Sequence, residues 1–109
     1  PQEVQANRQE LALLAARERN CYVILKGHQS IVTEGKRIFR NSTGNPGMAT
    51  GGTGDVLAGL LAALLAQGID PFDAAQIAVH SHGRAGDLAA NHIGQTSLIA
   101  TDLLSHLPI

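Results

Sequence analysis

One carboxylate, Asp55, is the only charged side chain between Asn41 and Ile69. It closes the run Gly51-Gly52-Thr53-Gly54-Asp55, and six glycines fall between Gly44 and Gly59. Val56 to Gln67 follows, apolar all round and rich in Ala, and reads as a helix. A helix of that kind is expected to be buried, with its N-terminus near the interior or on the floor of a cleft. Free N–H groups and the positive end of the dipole leave such a terminus. Glycines in front let the backbone come close to a ligand, which makes an anion hole suited to phosphate. Asp55 beside it could act as a general base on a hydroxyl that attacks or accepts a phosphoryl group. The plainer role, a first-turn carboxylate, would contribute about 0.3–1 kcal/mol through the dipole. A cap needs one residue, whereas this loop uses a dozen.

Two familiar phosphate patterns are absent. GxxxxGK[ST] needs a Lys after its last Gly, and here Gly54 is followed by Asp55. GxGxxG must directly follow the first strand, and this loop does not. A second candidate is Lys26, with Gly27 behind it, at the end of the apolar run Cys21 to Leu25. Ligands gather at carboxyl ends of strands in α/β folds, although a strand-end Lys is as readily just solvated. His28 and Ser30 could donate to phosphate or ribose. His80 and His82 lie two apart on different helix faces, a poor joint metal site. His82 and Asp87 could approach the nucleotide or a subunit interface, although a helical surface pair is the plainer reading, and Arg84 and Asp87, three apart, read as a surface ion pair. His92 and His106 have no sequence partner, and Cys21 reads as a small core residue.

The elements that must hold these residues follow from pattern. Glu3 to Arg19 reads as an amphipathic helix with Leu11, Leu14 and Ala15 on its apolar side. Cys21 to Leu25 reads as a buried parallel strand. Ser30 to Thr33 and Lys36 to Phe39 flank Glu34-Gly35 as a hairpin. Asn41 to Gly54 is loop by composition. Gly68 ends the Val56–Gln67 helix, and Asp70-Pro71 starts another reaching about Asn91. Thr96 to His106 reads as a last helix.

These 109 residues suffice for one domain and not two. Apolar residues make up 44%, yet only Tyr22, Phe39 and Phe72 are aromatic, so platforms for stacked nucleobases are scarce. A net charge of −1 argues against a nucleic-acid backbone as main partner. One cysteine excludes an internal disulfide and a CxxC metal site. No secretory pattern is seen, and the apolar run Val56 to Ala66 is about half the length that spans a bilayer. The expectation is a soluble, cytoplasmic chain without a membrane or metal-cage role. A start without Met, inside a helix, suggests a piece of a longer protein.

The segment GNPGMATGGTGDVLAG (Gly44 to Gly59), preceded by VILKGHQSIV (Val23 to Val32) and followed by LLAQGIDPFDAAQIAV (Leu64 to Val79), resembles the ADP/ATP-dependent NAD(P)H-hydrate dehydratases. These belong to the ribokinase-like superfamily. The resemblance implies a three-layer α/β/α sandwich, of which residues 1–109 form the C-terminal part of a single domain. It implies dehydration of hydrated NADH or NADPH, driven by a nucleotide that leaves as AMP when ADP is the donor. The DPF-x-A stretch resembles bacterial members, which usually prefer ADP over ATP; Mg2+ would bridge the phosphates.

By the same resemblance Asp55 is catalytic and contacts the substrate. Lys26, Gly27, His28, Gln29 and Ser30 match a nucleotide-binding strand end. Asn45, Pro46, Gly47, Met48, Ala49, Thr50 and Gly51 match the loop over the adenosine phosphates, and Gly52, Thr53 and Gly54 match the anion hole. A fused or partner epimerase and a homo-oligomer are implied as well. Two other functions use the same residues: a kinase for a vitamin-precursor alcohol, and an ADP-binding segment without catalysis.

Overall fold

The computed structural model describes residues 2–107, with side chains from residue 7 onward. Helix α1 (Gln2–Arg19) leads into strands β1 (Val23–Leu25), β2 (Ile31–Thr33) and β3 (Ile38–Arg40). A 3₁₀ turn (Pro46–Met48) interrupts the following loop, and helices α2 (Thr53–Ala66), α3 (Pro71–Ile93) and α4 (Ala100–His106) complete the chain. The strands form an antiparallel sheet in the order β1-β2-β3. Register places Ile24, Val32 and Phe39 in one row across it. That row packs on Leu57 of α2 and on Phe72, Ala75, Ala78 and Val79 of α3. Strand side chains alternate between faces, so Ile31 and Thr33 turn to the other side, where α1 lies. The layers are α1, sheet, then α2 with α3, as in a ribokinase-like α/β/α sandwich.

The hairpin forms as expected. The Glu34 carboxylate accepts from the backbone amides of Lys36 (2.9 Å) and Arg37 (2.6 Å) and pairs with the Arg37 side chain. The Lys36 amide foremost, then Arg37, holds the Glu34 carboxyl down to about 2. The Arg37 guanidinium also sits 4.2 Å above the Phe72 ring, tying the hairpin to α3.

Several expectations change. The first strand is antiparallel and half-buried, not parallel and buried. Only the short segment 26–30 joins it to β2, too few residues for the crossover a parallel pair needs. Cys21 lies before the strand and is exposed. On α1 the buried stripe is Ala12, Leu13 and Ala16, while Leu11 and Leu14 are 63% and 50% exposed. Polar anchors set that rotation. Arg8, one turn before Ala12, donates to the His28 carbonyl (2.9 Å), and Arg17 Nε donates to the Gly35 carbonyl (2.6 Å).

Helix α2 starts at Thr53 rather than Val56, and of its residues only Leu57 is buried. Among the described residues its burial is one-sided. One side packs on α3 and the sheet, while the opposite side, with Leu65 41% exposed, is uncovered by the described residues.

Helix α3 begins where Asp70-Pro71 predicts and runs two residues past Asn91 to a Gly94 stop at φ +80°. Helix α4 begins at Ala100, not Thr96. Leu98 stays outside the helix and fills a second core with Ala85, Ala89 and Leu103. The Asp102 carboxylate then caps the Ile99 amide (2.8 Å). Among the described residues no helix is long and apolar enough to cross a membrane.

Candidate functional site

The first turn of α2 is built without the usual closure. Its N-cap is Gly52, left-handed at φ +91°, with no side-chain cap. The amides of Asp55 and Val56 donate to the Gly52 carbonyl. Those of Gly51, Gly52, Thr53 and Gly54 find no acceptor among the described residues. Consecutive free amides at the positive end of a helix form an anion-binding concavity. Asp55, exposed, is in the same turn.

A cation faces this turn. A Cβ placed on Gly54 would lie 2.6 Å from Lys26 Nζ, so glycine is what lets that ammonium lie against α2. Lys26 and Gly54 share a cavity of about 210 Å³ with Ile24, Leu57, Ala58 and Leu61. The turn after Lys26 is internally tied. Gly27 adopts φ +147° and Gln29 φ +55°, and the Ser30 hydroxyl bonds both the amide and the carbonyl of Gly27 at 3.2 Å. Arg8 caps the turn from α1 through the His28, Leu25 and Lys26 carbonyls. Ser30 therefore has a local structural partner, and His28 contributes its carbonyl to Arg8.

The loop between β3 and α2 is docked on α3 by side chains. Asn41 Nδ2 donates to the Val79 carbonyl, and the Thr43 hydroxyl donates to the His80 carbonyl at 3.0 Å. The Asp87 carboxylate accepts from the Gly44 amide (3.0 Å) and from Asn45 Nδ2 (2.9 Å). Asn45 Oδ1 in turn accepts from the Gly47 amide. Glycines admit the close approach. A Cβ on Gly83 would meet Thr43 Oγ1 at 2.1 Å, and one on Gly86 would meet Met48 Sδ at 2.2 Å. Met48 packs against the second core, so its side chain anchors the loop. Pro46 opens the 3₁₀ turn, and Ala49 and Thr50, both exposed, lead to the glycines.

The structure thus brings Lys26 together with the Gly52–Asp55 turn, and holds the 44–50 loop on α3 beside it. Three residues matter more than their sequence pattern conveys. Asp87 does not form the expected ion pair with Arg84; it holds the Gly44–Asn45 backbone because the loop amides reach it. His82, half-buried, reaches Thr53: its Nε2 is 2.8 Å from the Thr53 carbonyl. Burial above all, and Lys26 nearby, lower the His82 pKa below its usual value despite that bond. Arg8 had no visible role from spacing. The pair Gly83 and Gly86, three apart on one helix face, was the one available signal of close backbone approach. His92 and His106 prove to be partners, Nδ1 to Nε2 at 2.8 Å, away from this site on the ends of α3 and α4. Among the described residues no group of three or more His, Cys, Asp or Glu could hold a metal.

The family model for NAD(P)H-hydrate dehydratase matches residues 1–109, the whole chain. The chain belongs to the NAD(P)H-hydrate dehydratase family. A bifunctional NAD(P)H-hydrate repair enzyme of Moorella thermoacetica is 44% identical over 107 residues, covering 97% of this chain and 20% of the relative. The same enzyme of Thermofilum pendens is 45% identical over 108 residues, covering 98% of this chain and 21% of its own length. The chain therefore spans about a fifth of these relatives. An ADP/ATP-dependent NAD(P)H-hydrate dehydratase from Bacillus subtilis, co-crystallised with ATP and Mg2+, superposes with a TM-score of 0.89 at 33% identity. That match covers 98% of this chain and 39% of the Bacillus protein. The family assignment and the ribokinase-like fold agree with the motifs Gly44–Gly59 and Val23–Val32.

Proposed function

We propose that this chain is the C-terminal part of a single dehydratase domain, and that it supplies the phosphate-binding and proton-transfer groups for ADP-dependent dehydration of hydrated NADH or NADPH. The observation that carries the reading is the α2 start: four free amides, Lys26 against Gly54, and Asp55 one residue on. The amides of Gly51–Gly54 and the Lys26 ammonium hold the phosphate being transferred and offset its charge. Asp55 accepts the proton of the hydroxyl on the hydrated nicotinamide ring as that oxygen takes the β-phosphoryl group, and AMP departs. Loss of the resulting phosphate, with a ring proton, restores the double bond of the dihydronicotinamide. The turn from Lys26 to Ser30 and the loop from Asn45 to Thr50 flank the nucleotide.

The donor set suits Mg2+ held by phosphates and water rather than by a protein cage, since that ion keeps several waters and accepts few carboxylates. Bound there, it would neutralise charge on the phosphate oxygens. The relatives' bifunctional character supports a fused epimerase unit in the parent protein. Exposed Leu11 and Leu14 offer apolar surface for self-association, and the reaction's cofactors support a cytoplasmic parent.

Return of the NADH absorption band is the test, with hydrated NADH, Mg2+ and ADP or ATP. Nucleotide-dependent recovery is expected, lost in Asp55→Asn while ADP affinity stays within a few-fold. A near-normal rate in Asp55→Asn would remove the proton-transfer role. ADP binding with no recovery would make this chain a binding segment, and turnover of a simple alcohol would make it a kinase.

A further inference from the structure

The first turn of α2 raises a question of stability. An α-helix usually closes its N-terminus with a side-chain oxygen that accepts from the second or third amide. Helix α3 does so, since the Asp70 carboxylate accepts from Phe72 and Asp73. Helix α2 has Gly52 in that place and no side-chain cap. A Ser or Asp cap there would turn its oxygen onto the Gly54 amide, one of the open donors a phosphate needs. The turn must be held in some other way.

It is held through oxygens. The Thr53 hydroxyl reaches back to the carbonyls of Met48 (2.9 Å) and Thr50 (3.1 Å). The Thr53 carbonyl is met at 2.8 Å by His82 Nε2, from the middle of α3. A carbonyl can only accept, so Nε2 carries the proton. In a trans peptide the C=O of Thr53 and the N–H of Gly54 point in opposite directions. Fixing the carbonyl toward α3 therefore directs the Gly54 amide away from α3. Burial first, and Lys26 nearby, disfavour the charged form of His82.

We propose that His82 is a positioning residue, anchoring the first turn of α2 by the Thr53 carbonyl so that the Gly51–Gly54 amides stay open to a nucleotide phosphate. The inference rests on the nucleotide reading above. It assigns the histidine to the substitute for a cap, and makes the missing cap a requirement of the site.

The test joins ring-nitrogen NMR of the ligand-free chain to ADP–Mg2+ titrations of wild type, His82→Ala and His82→Gln. The neutral ring is expected protonated on Nε2. Affinity for ADP is expected to fall about ten-fold in His82→Ala and to stay within about three-fold in His82→Gln, whose amide can still donate. Rescue by Gln separates donation from mere space-filling. A ring protonated on Nδ1, or equal affinity in wild type and His82→Ala, would overturn the inference and leave the nucleotide reading standing. Wild type that binds no ADP would overturn that reading and this inference with it. Should His82→Ala fail to fold, the Nε2 assignment and the His82→Gln affinity decide, and a loss in Gln as large as removal of ADP binding overturns it.

Discussion

Two helix starts in this chain are built from opposite principles. At α3, Pro71 removes one amide and the Asp70 carboxylate satisfies the next two. At α2, glycine replaces the cap and four amides in a row stay unpaired among the described residues. The first is closed and serves stability alone. The second forgoes that stabilisation, about 1 kcal/mol for a typical cap, and keeps its donors for a ligand. The same dipole points out of both, so the difference lies in what the side chains leave free.

The strongest way to break the contrast is Gly54→Val. A Cβ there lies 2.6 Å from Lys26 Nζ, so the ammonium must move and the backbone loses its close approach. ADP affinity measured by calorimetry is expected to fall beyond detection, with the fold retained by circular dichroism. Next is Gly86→Leu, where the added carbons meet Met48 at 2.2 Å. Overpacking of that kind costs about 1–3 kcal/mol. A lowered midpoint in urea is expected together with weaker ADP binding, since the loop would lift from α3. Asp70→Ala should cost about 1 kcal/mol of stability. Its ADP affinity is expected to be unchanged, because the closed start has no ligand.

The smallest effect is in pH. His82 has a folded pKa below its usual 6.5, so between those two values the unfolded chain binds more protons than the folded one. Stability should therefore be full above about pH 6.5 and decline as pH falls below it. His82→Gln is expected to flatten that decline in urea titrations at successive pH values.

Much of this was legible in residues and spacing. The hairpin about Glu34-Gly35 was visible because turn chemistry is local, and so was the α3 start, where Asp-Pro is a strong signal. The open glycine loop and Asp55 stood out because no other charge competes nearby. Other features were set by partners distant in sequence. Leu11 and Leu14 look like a core face in pattern, yet Arg8 and Arg17 rotate α1 so that alanines meet the sheet. The all-apolar composition of α2 suggested full burial, but composition does not say which neighbours arrive. His82 and Asp87 looked like surface residues because their partners, Thr53 and Gly44, lie 29 and 43 positions away.

The central claim is that the α2 start is a phosphate site and the α3 start is not. Backbone amide spectra recorded during an ADP–Mg2+ titration test it most directly. The account predicts that Gly51, Gly52, Thr53 and Gly54 shift with occupancy while Phe72 and Asp73 stay fixed. Shifts absent from the glycine turn, or equal at the two helix starts, would contradict it.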